Sequence, residues 1–459
     1  MNRCLLTALL VLVGARVSCA ETITVCASGC DYTSINAAIA VANDGDVIQL
    51  AAQSYSEGST VDTNGKVITI RGVVDQKGRP VTYLDGGGAH RVVECTNGET
   101  GSTVFENLMI RNGRAVRGGG MHNYGSSPTL RNCSLGYNLA AAAGGMYNHQ
   151  SSPTLIGCTI ENNGIAFDDT IQPNGGGMYN LESNPNLVGC KIGANGASSG
   201  GGMYNDRSSP VLTDCLLTSS SSNCGGGMYN LFSSPELVRC TIGGNGAAEG
   251  GGMYNRNSSP SITDCVFTYN SGLYKGGGIY NFASAPTLEG CSFEFNSSAW
   301  GGGIHNNISD PTLRNCTFTD HNVSSGGGMY NFDNCTPILI NCVFTNNTAQ
   351  SEGSAIANLQ HSRPQLRDCR IWCNSPAPPI SGSFEDISGN CINLDCTSCG
   401  PCTGDLTDDN RVDGADLTDL LGFWGDCVDP DECPPDLDGN GQVDGADLLE
   451  LLSAWGACP

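Results

Sequence analysis

Between residues 112 and 375 the chain repeats one pattern of apolar and polar positions about every 25 residues. A clear copy is GGGMYNRNSSPSITDCVFTYN, from Gly250 to Asn270. Three glycines lead into Met-Tyr-Asn. A Ser-Pro turn follows, then an aliphatic residue, a cysteine, and F-x-x-N. Strand side chains alternate between two faces. The pattern therefore predicts short strands with Met253, Ile262, Cys265 and Phe267 turned inward and Tyr254 outward. Strands this short bury little alone. A fixed period predicts a solenoid whose coils cover one another at a spacing of about 4.8 Å.

Stacking in register predicts columns of like residues. Ten cysteines (Cys133, Cys158, Cys190, Cys215, Cys240, Cys265, Cys291, Cys316, Cys342 and Cys369) read as a buried column of small hydrophobes. Met121, Met146, Met178 and their successors through Ile356 read as a second apolar column. Asn123, Asn148, Asn180, Asn205, Asn230, Asn255, Asn281, Asn306, Asn331 and Asn358 read as an amide ladder bonding coil to coil. The glycines are expected at a turn that a Cβ would block. Tyr147, Tyr179, Tyr204, Tyr229, Tyr254, Tyr280 and Tyr330 should line one outward face. Two readings of that face stand. The rings pack on one another, or Tyr179, Tyr204, Tyr229, Tyr254 and Tyr280 receive sugar rings or a partner. His122 and His305 take tyrosine positions and are expected at the surface.

Residues 21–110 lack the repeat. Thr33–Ala42 has helical apolar spacing, with Thr33 or Ser34 as cap, and a turn closes it at Asn43–Asp46. Strands are expected at Val47–Leu50, Val67–Arg71, Val92–Cys95 and Thr103–Ile110. Cys26 and Cys30 flank a tight turn and can pair. The helix at Tyr32–Ala42, with Gly45–Leu50, Tyr55–Glu57 and Ile68–Gly72, resembles the cap and first coils of the pectate-lyase-like family. That resemblance implies an all-β fold, a right-handed single-stranded parallel β-helix over residues 21–395 with an N-terminal capping helix. The glycine motif with F-x-x-N at Phe267–Asn270, Phe293–Asn296 and Phe344–Asn347 is also similar to the repeats of polymorphic outer-membrane proteins, which are surface adhesins.

Charge narrows the partners. The net charge of −24 argues against nucleic acid. Residues 1–20 read as a signal peptide, with Arg3, the apolar run Leu5–Val13 and the small residues Ser18-Cys19-Ala20. A secreted protein, extracellular or at the cell surface, is expected, and no segment is long and apolar enough for a transmembrane helix. Residues 396–404 form a linker, where Cys396, Cys399 and Cys402 are read as disulfide partners rather than metal ligands.

The sharpest chemistry lies in residues 405–459. Asp436, Asp438, Asn440, the Gln442 carbonyl, Asp444 and Asp447 fall at loop positions 1, 3, 5, 7, 9 and 12, with Gly441 at 6. Calcium takes six to eight oxygens, and this alternation wraps one ion. Asp405, Thr407, Asp409, the Arg411 carbonyl, Asp413 and Asp416 repeat the frame, with Asn410 in place of the turn glycine. Two Ca2+ ions are expected, the first bound more weakly. Val443 should pack inward, and helices should follow at Leu417–Trp424 and Leu448–Trp455. This pair of loops resembles the type I dockerin. The resemblance implies a cohesin-like partner docked at Gly414, Ala415, Gly445 and Ala446.

Catalysis has few candidates. Outward repeat positions are mostly Ser, Thr, Asn and Gly, without the paired carboxyls that glycosidases need. One irregular coil, between Cys158 and Cys190, offers Glu161, Asp168 and Asp169. The expected function is a non-catalytic secreted β-helix, attached through its calcium-dependent tail to a surface or complex. The alternatives are a polysaccharide lyase or glycoside hydrolase delivered by that tail, and an adhesin acting through the tyrosine face.

Overall fold

The computed structural model describes residues 20–166, 173–393, 404–407, 411–427 and 433–457. Most of the expected signal peptide, Asp168, Asp169, Asp409, Asn410 and the linker cysteines lie outside the described residues.

Each repeat contributes one strand to each of three parallel sheets. The sheet holding Met-Tyr-Asn has 13 strands, the next along the chain 15, and the third 14. Like residues stand over like: Met253 pairs with Met228 and Ile279, Tyr254 with Tyr229 and Tyr280, Asn255 with Asn230 and Asn281. The result is an all-β right-handed parallel solenoid of about 15 turns. Short apolar stretches suffice because every coil is covered above and below.

The core follows the expected columns. Met121 through Ile356 and the ten cysteines are buried, and Phe267, Phe293, Phe318 and Phe344 stack at 4.5–4.8 Å between centroids. The thiols also satisfy backbone. Cys133 Sγ donates to the Phe105 carbonyl at 3.3 Å and Cys240 Sγ to Leu212 at 3.4 Å, each in the preceding coil. A small apolar residue with one weak donor suits that corner. Burial pushes the pKa of Cys95 and of Cys342 well up, so both stay thiols.

The asparagine ladder runs unbroken. Asn123 Nδ2 donates to Asn148 Oδ1 at 2.7 Å, and the chain of amides continues to Asn331 Nδ2 and Asn358 Oδ1 at 2.8 Å. Between the two ends every amide donates forward and accepts from behind. The two buried ladder atoms without a partner are Asn123 Oδ1 and Asn358 Nδ2, its two ends. Replacing Asn230 by Leu strands a donor on Asn205 and an acceptor on Asn255. We expect a loss of about 3 kcal/mol, read by urea unfolding, with a smaller loss for Asn358→Leu. A second ladder runs through Asn138, Asn163, Asn195, Asn245, Asn270, Asn296, Asn347 and Asn374, with Ser220 and His321 standing in for asparagine. The F-x-x-N motif marks those asparagines, but their stacking was not among the expected columns.

The glycines behave as expected. Gly250 has φ +64°, and a Cβ there would lie 2.5 Å from the Met253 carbonyl oxygen. A Cβ on Gly252 would lie 2.6 Å from the Gly278 oxygen of the next coil.

Helix α1 (Ile35–Val41) closes the N-terminal end. Ser34 caps it by accepting from the Ala37 N–H, and Ile35, Ala38 and Ile39 are buried. Cys26 and Cys30 form a disulfide. The strand expected over 103–110 is divided at Asn107, φ +58°, into Val104–Glu106 and Leu108–Arg111.

In the tail, α2 (Gly414–Gly422) and α3 (Gly445–Ser453) begin three residues before the expected starts and end short of Trp424 and Trp455. Asp413 and Asp444 form capping boxes with Asp416 and Asp447, which fixes those starts. The strands pair crosswise and antiparallel: Arg411–Val412 with Gly456–Ala457, and Gly425–Asp426 with Gln442–Val443. Val412, Leu420, Val443 and Leu451 are fully buried in a small core. Among the described residues no helix is long and apolar enough to cross a membrane.

Candidate functional site

In the second acidic loop, Asp436, Asp438 and Asp447 bring ligand oxygens within 4.8 Å of one another. Backbone N–H groups shape this loop. Asp436 accepts from Asn440 at 3.1 Å and from Gly441 at 2.7 Å. Asp438 also accepts from Asn440, and Asn440 Oδ1 accepts from the Gln442 N–H at 2.9 Å. Asp447 is fully buried and accepts from Leu437, Asp438 and Asp444. Burial pushes its carboxyl up, and these N–H bonds more than offset that, leaving it below the usual range. A charged, acceptor-only cluster on a fixed frame suits a hard cation with oxygen ligands.

The first loop repeats the backbone contacts around its last acid and adds a hydroxyl. Asp416 accepts from the N–H groups of Leu406, Thr407 and Asp413, and from the Thr407 hydroxyl at 3.0 Å. Burial pushes its carboxyl up and the backbone bonds again bring it below the ordinary value. Asp405 is buried, with its carboxylate 3.7 Å from Arg370. Arg411 pairs through its backbone with Ala457. Gly414, Ala415, Gly445 and Ala446 form the first turns of α2 and α3.

Of the two readings of the tyrosine column, ring packed on ring is the one the geometry matches. Tyr204, Tyr229, Tyr254 and Tyr280 are 2–8% exposed, so they form no open strip. Centroids from Tyr147 through Tyr179 to Tyr280 lie 4.7–5.1 Å apart. Cys224, Leu231 and Phe282 pack against the rings, and Lys275 Nζ lies 5.1 Å from the Tyr280 centroid. Alternation turned these rings out of the coil, and their neighbours then cover them. His305 is a correction. It is 3% exposed, packed edge-on to Tyr280 and tilted against Tyr330, and its Nδ1 lies 3.3 Å from the Trp300 carbonyl. Burial holds its pKa down at about 3.

Of the catalytic candidates, Glu161 is described. It pairs with Lys191 at 2.8 Å. It shares an open groove of about 410 Å³ with Asp75, which Arg79 holds below the usual carboxyl range. A residue missed in the sequence is Asp206, on the tyrosine sheet beside Tyr204. Burial pushes its carboxyl up, while Arg207 draws it down. Arg207 lies 3.4 Å from both Asp206 and Glu182.

Three overlapping stretches, residues 91–247, 221–375 and 254–415, match the family model described as the right handed beta helix region. They span most of the chain, which therefore belongs to that family. No curated protein matches the chain. Among solved structures, the chain is similar to a pectate lyase (12% identity, TM-score 0.41, covering 64% of this chain and 79% of that one). It is similar to a mannuronic acid specific family 6 polysaccharide lyase from human gut microbiota (10%, 0.42, 79% and 82%). It is similar too to the receptor-binding protein of bacteriophage Det7 (12%, 0.41, 81% and 77%).

Proposed function

We propose that the chain is an exported, non-catalytic β-helix, attached to a surface or extracellular complex through a calcium-dependent, dockerin-like tail. The observation that carries this reading is the cluster of Asp436, Asp438 and Asp447, with ligand oxygens within 4.8 Å. The crosswise strand pairs and matched capping boxes of the two halves support it. Asp436, Asp438, Asn440, Gln442 and Asp447 would hold one ion. Asp405, Thr407, Asp409, Arg411 and Asp416 would hold a second, weaker one. Calcium there would neutralise the loop carboxylates and fix the two helices for docking of a cohesin-like domain at Gly414, Ala415, Gly445 and Ala446.

Calorimetry on the whole protein tests this. Two calcium sites are expected, and Asp438→Ala should weaken the tighter one at least tenfold while the solenoid melts unchanged. Absence of calcium heat, with no calcium-linked change in circular dichroism, would refute it.

A second reading rests on Asp206. A carboxyl held up by burial, beside Glu182, is the kind of group a glycoside hydrolase uses as acid. If the chain releases reducing ends from a polysaccharide, Asp206→Asn should lower the rate at least a hundredfold. An unchanged rate removes Asp206 from that role.

A further inference from the structure

We propose that Tyr269 and Phe295 form the wall of a binding slot for an uncharged sugar ring, on a corner of the solenoid away from the buried tyrosine column. The two residues occupy the same turn position in successive coils. They are 64% and 44% exposed, with centroids 5.0 Å apart and planes within 9°. Both adopt a left-handed backbone, φ +53° and +51°. Large aromatic side chains standing exposed in that conformation gain nothing from core burial.

The preceding coil supplies the slot. Its residue at this turn is Gly244, whose N–H donates to the Thr268 carbonyl at 2.9 Å, so the coils remain in register. Glycine leaves one face of the Tyr269 ring without the neighbour that Phe295 provides on the other. The next ring position in the column is therefore open for about one coil height, about 4.8 Å. A Cβ placed on Gly244 would meet Thr218 Oγ1 at 3.8 Å and Ser219 Oγ at 4.0 Å. Those two hydroxyls lie 3.2 Å apart. The slot thus has an aromatic wall and a floor of paired hydroxyls.

A pyranose matches both surfaces. Its C–H face carries partial positive charge and packs against the electron-rich face of an aromatic ring. Its hydroxyls exchange hydrogen bonds with serine and threonine. Charge selects against uronates: Tyr269, Gly244, Ser219 and Thr218 offer no cation, and the chain carries a net −24. This site shares no residue with the acidic tail loops, so it stands or falls apart from the calcium reading.

The test is affinity gel electrophoresis of the full chain, with calcium chelated. The gels contain hydroxyethylcellulose, galactomannan, soluble starch or polygalacturonate. Retardation in at least one of the three neutral gels, and none by polygalacturonate, is expected. Tyr269→Ala should lower the affinity at least tenfold. Gly244→Tyr should abolish retardation by filling the slot. Gly244 has φ +67°, so this variant should melt somewhat below wild type yet stay folded, because that turn already holds aromatic residues at φ +53° and +51° in the two following coils. Retardation by polygalacturonate alone, by none of the four, or to the same degree in both variants would overturn the proposal.

Discussion

Gly252→Ala is expected to break the solenoid near its middle. The added Cβ would lie 2.6 Å from the Gly278 carbonyl oxygen. That oxygen accepts from the Met253 N–H at 2.9 Å, so it cannot move away without losing a ladder bond. Overpacking against fixed backbone costs about 3 kcal/mol or more. Gly250→Ala meets a similar clash, 2.5 Å from the Met253 oxygen, and adds the left-handed penalty of about 1–2 kcal/mol. Gly246 is the control: a Cβ there meets nothing within 4 Å, and its φ is ordinary. Gly246→Ala should change stability by less than about 0.5 kcal/mol. Solenoid stability is close to a sum of coils and their interfaces. A defect at Gly252 removes stacking on both sides. The guanidinium transition should therefore split in two, with hydrogen exchange fastest in the coils around 228–281. A single transition at the wild-type midpoint would contradict the role assigned to these glycines.

The columns were legible because they depend on period alone. One coil is short and its neighbours cover it, so each inward position must be apolar or a self-pairing amide. That constraint writes Met, Cys and Asn at fixed intervals. What covers the outward face left no such trace. Tyr204 and Tyr254 are turned out by alternation and then enclosed by Cys224, Leu231, Phe282 and their own neighbours. The second amide ladder was obscured where Ser220 and His321 interrupt it. Asp206 follows Met-Tyr-Asn at a position held elsewhere by Leu181, Leu231, Arg256 or Phe282. A lone carboxylate there has no signature until register sets it between Leu181 and Leu231. In the tail, the frame of acids predicted which valine would pack inward. It missed the helix starts because position 9 also serves as the N-cap.

Acid should weaken the solenoid through two histidines. His321 continues the amide ladder: Asn296 Nδ2 lies 3.3 Å from Nε2, and Nδ1 lies 2.7 Å from Asn347 Oδ1. Those partners assign a neutral ring, with the proton on Nδ1 donated to Asn347. Protonating Nε2 would set two donors face to face. Burial holds His321 down at about 4 and His305 at about 3. Lys275 adds a like charge near His305. In the unfolded chain both titrate near 6.5. Both folded values are depressed, so stability is full above pH 6.5 and falls as pH drops toward 4 and then 3. At pH 4 the loss should reach about 3 kcal/mol for each ring. The repeat itself supplies the repair, because Tyr fills the position of His305 and Asn that of His321 in neighbouring coils. His305→Tyr with His321→Asn should leave urea stability at pH 7 within about 1 kcal/mol of wild type. At pH 4.5 the double variant should be the more stable by several kcal/mol. The low-lying carboxyls of Glu99, Asp416 and Asp447 contribute only at lower pH, which keeps that window clear. Equal losses in wild type and variant between pH 7 and 4.5 would place the acid sensitivity elsewhere.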